Sequence, residues 1–192
     1  MFGGPQTFAQ ATVVFAGTDT EAALRALEPF ADLPGAAGQR AQVAPYADVL
    51  PFSGGPHTGQ QTAVTRTGLA VHLDAALSGR LAGLLTGDAA EMLQVRSAGG
   101  AINDVPEDAT AYAHRHQNFS VTAVSTSSLE RLEEAWQESR ALLDGLYLSF
   151  ETAHTPERIH DAFPPRTLDR LRRIKTAWDP DGIFDQNFSV AV

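Results

Sequence analysis

The stretch NFSVTAVST, residues 118–126, constrains the fold more than any other. It is rich in β-branched residues and free of glycine and proline, so it reads as the clearest strand of the chain. Alternation sends Phe119, Val121 and Ala123 to one face and Ser120, Thr122 and Val124 to the other. Neither set is strongly polar. An antiparallel strand covered on one side shows water a polar second face, and this one does not. It calls for cover on both sides, and an apolar face left open would mark an interaction surface.

The rest of the chain supplies strands and helices in mixed order. Residues 11–17, ATVVFAG, read as a strand that ends at Gly17. Thr18 and Glu21 form a capping box for a helix carrying Leu24, Leu27 and Phe30, stopped by Pro34-Gly35. Residues 39–52 read as one strand and a turn, and 53–61 as a loop. Residues 62–73 alternate as a strand. Asp74 then caps a helix with Leu77, Leu81, Leu84 and Leu85 on one face. A strand over 90–97 ends at Gly99-Gly100, and 104–115 are extended or looped. Ser127 and Glu130 cap a helix that turns Leu129, Leu132, Trp136 and Leu143 inward. Residues 145–151 read as a short strand and 153–163 as a helical turn. The last helix carries Leu168, Leu171 and Ile174 and stops at Asp179-Pro180. About five or six strands and four helices, with few regular crossovers, give an α+β fold: an antiparallel sheet with helices on one face. No linker or repeat divides residues 1–192, so the expectation is one domain.

Composition narrows the function. The net charge is -9, which argues against nucleic acid as a partner. Arg166, Arg170, Arg172, Arg173 and Lys175 concentrate positive charge locally and read as the solvated face of the last helix. There is no cysteine, so disulfides, thiolate catalysis and a cysteinyl cofactor link are excluded within the chain. No signal segment and no run of about 20 apolar residues is present, so the default is a soluble, cytoplasmic protein without a membrane partner. Asn118-Phe-Ser120 and Asn187-Phe-Ser189 fit the glycosylation pattern by chance, given no secretory context.

Motifs for self-contained chemistry are missing. His114 and His116 share one side of an extended segment, but no third ligand stands at a recognisable spacing, so no metal is expected. The pairs Gly3-Gly4, Gly54-Gly55 and Gly99-Gly100 have no phosphate-loop spacing. No nucleophile–base pair is visible. The tail is the remaining puzzle, because Ile183, Phe184 and Phe188 follow a hard helix stop as though made to pack against something.

Three segments, GGAINDVPEDATAYAHR (99–115), GLYLSF (145–150) and LDRLRRIKTAWDPDGIFDQNFSV (168–190), bear on that puzzle. In this order and spacing they resemble the C-terminal part of berberine bridge enzyme-like, FAD-linked oxidases of the vanillyl-alcohol-oxidase type. YADVL (46–50) and FAGTDTEA (15–22) resemble the start of the same domain. The resemblance implies a ferredoxin-like substrate domain that lays its sheet over a flavin held by an N-terminal FAD-binding domain absent from these residues. It further implies hydride transfer from a small organic substrate to flavin N5. Relatives oxidise sugars, alkaloids, phenols and polyketides.

Residue by residue, the resemblance implies cofactor contacts from His114, Arg115, Tyr147, Ser149 and Asn187. Ser149 replaces the family's asparagine, and Gly182 stands where asparagine is common. Phe150 replaces a tyrosine that serves as base in several plant members, and Val121 replaces a carboxylate that does so in others. Neither can take a proton. Both then become lining for the substrate, with Phe119, Arg66 and Arg96. Tyr112 and His116 are left as the candidate catalytic groups by strand position. The expected partners are an FAD-binding domain or subunit and a small-molecule substrate, with homodimerisation as a way to hide an uncovered face. The alternative is a stand-alone α+β ligand-binding or dimerisation module, derived from such an enzyme and lacking flavin activity.

Overall fold

A computed structural model describes residues 1, 7–49 and 63–190. The chain divides into two compact units, Gln10–Gly59 and the combination of Met1–Ala9 with Gln60–Val192.

In the smaller unit, helix α1 spans Thr20–Ala31 and a 3-10 turn spans Tyr46–Val49. The cap of α1 is Asp19, whose carboxylate accepts from the Ala22 amide at 3.0 Å, so the expected Thr18 box is shifted by one residue. Residues 11–17 form no strand. Their β propensity finds no ladder, and propensity alone does not make a strand. The expected strand in 39–49 is also missing. The loop expected over 53–61 and the Gly3-Gly4 pair lie outside the described residues.

The larger unit is α+β. Strands β1 (Val64–Ala70), β2 (Met92–Ser97) and β3 (Phe119–Ser125) form an antiparallel sheet in the order β1-β3-β2. Helices α2 (Ala75–Thr86), α3 (Leu129–Arg140), α4 (Pro156–Ala162) and α5 (Pro165–Trp178) complete it. Asp74 caps α2 as its sequence requires, accepting from the Leu77 amide at 2.8 Å. Ser128, not Ser127, caps α3. Three strands among the described residues are fewer than the five or six expected.

Register explains the core. Pairing of Gly68 with Val121 and of Leu93 with Ala123 sets these residues on one face, with Ala70 and Phe119. Onto that face α2 packs Leu77, Leu81, Leu84 and Leu85, and α3 packs Leu132 and Trp136. Val121, Ala123 and Leu132 are fully buried. Leu143 crosses Gly68 so closely that a Cβ there would lie 2.4 Å from its Cδ1. Leu129, expected inward, is exposed.

Residues 144–152 close the outer edge of β1 without forming a regular strand. Leu69 N–H donates to Gly145 O at 2.9 Å, and Asp144 N–H returns the bond to Leu69 O at 2.8 Å. The segment then makes a 3-10 turn, Leu148–Phe150, and rejoins β1 where the Thr65 hydroxyl donates to Phe150 O at 2.6 Å. A strand over 145–151 was the expectation. The turn at 148–150 interrupts the ladder. The outer edge of β2 is met by Met1, whose ammonium donates to Leu93 O at 2.6 Å.

Candidate functional site

The second face of the sheet carries Thr65, Thr67 and Leu69 from β1, Ser120, Thr122 and Val124 from β3, and Gln94 and Arg96 from β2. The sequence calls for cover on this face, and Ser120 and Thr122 are buried at 9% and 6% exposure. The cover comes from within the chain. Phe150 is anchored at the β1 edge, and the Arg96 guanidinium from β2 lies 4.4 Å from its ring centroid. With β3 between those strands, this contact straps the middle of the face.

The strap continues as a row of rings. Phe150 meets Tyr147 edge-on at 5.8 Å, and Tyr147 meets Tyr112 edge-on at 5.8 Å. Arg115 lies over Tyr112 at 4.9 Å. The row is thus flanked by a cation at each end, a favourable setting for the negative faces of the rings. The two cations differ. Arg115 donates to Ile102 O at 3.0 Å and to the Thr110 hydroxyl at 2.8 Å, which ties the loop together. Arg96 is exposed and, among the described residues, touches the ring of Phe150 without an ion pair. Burial raises the Tyr112 phenol above its ordinary pKa, Arg115 opposes that shift, and Tyr147 adds to it.

The two histidines part ways. His114 is buried under Gly145, with Nε2 3.0 Å from Ala162 O, so Nε2 carries the proton and Nδ1 faces the Gln117 amide at 3.5 Å. His116 is exposed. Its Nε2 lies 2.9 Å from Asp144 Oδ2, and its Nδ1 is 3.7 Å from Glu107. Gln117, buried, also donates to Asp144 at 2.9 Å and so links the two sites. Among the described residues, no group of His, Asp and Glu is placed to hold a metal ion.

Other expected site residues lie elsewhere. Val121 is sealed in the helix-side core, and Phe119 packs against that core, so neither shares the face of the ring row. Arg66, also on the helix side, is 4% exposed and paired to Glu133 at 2.5 Å and Glu151 at 3.3 Å. Sequence reasoning missed the network beyond it. Glu151, with a fully buried side chain, is bound also by Arg158, which continues to Asp161 at 3.1 Å, and Arg140 meets Asp161 at 2.8 Å. The chain thereby pins β1, α3, α4 and the strap segment to one another. A carboxylate seven residues before an arginine across a loop has no periodic signature, so the pair was not legible.

The tail has its own logic. After α5, the Asp179 carboxylate accepts from the Ile183 amide at 2.8 Å and the Phe184 amide at 3.0 Å, and Lys175 binds the same carboxylate. Lys175 and those amides hold Asp179 below the usual carboxylate range, against a partial desolvation cost. Gly182 makes the turn at φ 65°. That conformation suits glycine and asparagine alike, which accounts for the exchange between them. Phe188 packs on His154 at 4.6 Å, whereas Trp178, Ile183 and Phe184 stand 85%, 73% and 80% exposed. Exposed Asn187 lines a cavity of about 250 Å³ with His154, His160 and Arg172.

Residues 149–191, which span the end of the strap, α4, α5 and the tail, match the family model of berberine and berberine-like proteins. The chain carries a berberine-like C-terminal segment. The fold around that segment is also that of berberine-type oxidases. Aclacinomycin oxidoreductase superposes over 92% of this chain and 42% of its own, with TM-score 0.66 and 21% identity. A glucooligosaccharide oxidase from Acremonium strictum, described with its FAD, superposes over 68% of this chain and 33% of its own (TM-score 0.55, 20% identity). A variant of berberine bridge enzyme does so over 68% and 33% (TM-score 0.53, 17% identity). This chain therefore spans about a third to two-fifths of the length of these relatives. No curated protein matches it. The berberine-like segment contributes Ser149 and Phe150 to the strap, and the tail with its exposed apolar residues.

Proposed function

We propose that this chain is the substrate-binding part of an FAD-dependent oxidoreductase, which oxidises a small organic molecule by hydride transfer to flavin N5. The observation that carries this reading is the ring row of Tyr112, Tyr147 and Phe150 with the open Arg96, set on the sheet face opposite the helices. The whole chain serves as one functional domain in this reading. FAD is held mainly by a partner domain or subunit, because no phosphate-holding glycine loop stands in the sequence. The residues present fit a covering role. Tyr147, Ser149 and Asn187 are exposed and available to cofactor edges. His114 and Arg115 serve differently from a direct contact: one is buried against Ala162 and the other ties the loop, so both position Tyr112.

Tyr112, a phenol that keeps its proton at neutral pH and that burial shifts further in the same direction, donates a hydrogen bond to a substrate oxygen. His116 is the proton acceptor in this reading. Asp144 faces its Nε2 and orients the ring, leaving Nδ1 toward solvent and Glu107. Arg96 and Phe150 seat the substrate. Arg66, Phe119 and Val121 shape the face from beneath and do not touch the substrate. The test is reconstitution with the FAD-binding partner followed by single-turnover flavin reduction. His116→Ala is expected to slow reduction by roughly 100-fold or more. Tyr112→Phe is expected to raise KM with a smaller effect on rate. Unchanged turnover in both variants would remove these assignments.

A further inference from the structure

The ring row carries a charge whose selectivity the reading above does not use: a guanidinium that no acid among the described residues neutralises. The chain has 23 acidic residues against 14 lysines and arginines, so acids outnumber these bases. Arg66, Arg140 and Arg158, around the β1 edge of the sheet, are all ion-paired. Arg96 is not. Its neighbours on the second face are Ser120 directly across, Thr122 diagonally and Gln94 two residues back on its own strand, all neutral. The Phe150 ring holds the guanidinium in place, and the exposed side chain leaves N–H donors accessible to solvent. At the far end Arg115 is hydrogen-bonded to its own loop, so the polarity of the platform is one-ended.

Resting on the proposed substrate face, we infer that the platform selects a planar aromatic molecule bearing a carboxylate. The arene packs on the Tyr147 and Phe150 rings and the anion takes the free donors of Arg96. Aromatic stacking supplies contact area without regard to charge. The guanidinium supplies the discrimination, because a planar fork of donors matches a carboxylate with two parallel bonds. A neutral sugar would gain the stacking and leave the guanidinium without a counter-charge.

The experiment is calorimetric titration of the whole chain with 2-naphthoate and with 2-naphthalenemethanol, two flat molecules of matched size that differ in charge. Naphthoate is expected to bind about fivefold more tightly, with the gap narrowing as salt is added. Arg96→Gln brings the two affinities together while the alcohol binds as before, which also shows that the variant is folded. Phe150→Leu weakens both ligands. Arg173→Gln, on an exposed turn of α5, leaves the preference intact. Equal affinities in the unaltered chain, a preference that survives Arg96→Gln, or no binding of either arene up to ~10 mM would each overturn the inference. These readouts need no flavin. The oxidase reading can therefore fail while the anion site stands, and the anion site can fail in a chain that still joins a flavin partner.

Discussion

Gly145 holds φ at 86°, and a Cβ built there would lie 2.1 Å from His114 Cε1. Backbone conformation and the imidazole exclude any side chain together. Gly145→Ala is expected to cost more than about 2 kcal/mol, measured by urea unfolding. The family-type His-Arg pair was visible in the sequence, but its work was not: His114 is a buried packing residue whose neighbour in space is Gly145, thirty-one positions away in the sequence. Asp179 gives a pH prediction. Its folded pKa is lowered, so its contribution is complete above the unfolded carboxylate range near pH ~4 and is lost as pH falls through the folded value. Carboxyl NMR should show a midpoint below that range, and the Ile183 and Phe184 amide shifts should titrate with it. Amides that ignore the Asp179 titration would refute the tail lock.

Elements were legible where local chemistry and period agree. α2 has a capping carboxylate at Asp74 and four leucines on one stripe, and the observed helix starts and buries as that pattern requires. Asp74→Ala and Ser128→Ala should each cost about 1 kcal/mol in thermal or urea unfolding. The caps of α1 and α3 slipped by one position because Thr18-Asp19 and Ser127-Ser128 each offer two capping residues, and only the amide geometry chooses. Residues 145–151 read as a short strand in sequence, yet they lie in the strap at 144–152. Its 3-10 turn and its role in crossing the face depend on Thr65 and Arg96, which no local pattern connects to it. The buried network beside the strap makes a sharper claim. Arg158→Met leaves the fully buried Glu151 carboxylate with only part of its counter-charge, and should cost about 3–5 kcal/mol. A loss under about 1 kcal/mol would mean that solvent reaches Glu151.

At the scale of the larger unit there are two kinds of surface. The helix side of the sheet is closed by α2 and α3, while the strap side ends in exposed Tyr147 and Arg96 and the tail presents Trp178, Ile183 and Phe184. No helix among the described residues is long and apolar enough to cross a membrane. The α+β class followed from the mixture of strands and helices in the sequence. The self-made cover over Ser120 and Thr122 did not, because it is built by residues remote in the chain. In the proposed account a flavin-bearing partner meets the strap side and the tail. The direct measurement is the native mass of the chain purified from its own source, with a visible absorption spectrum on the same sample. The account predicts a complex heavier than the chain or its dimer, with flavin absorption. A colourless monomer or homodimer would contradict it, and would leave the berberine-like segment as a mark of ancestry and fold.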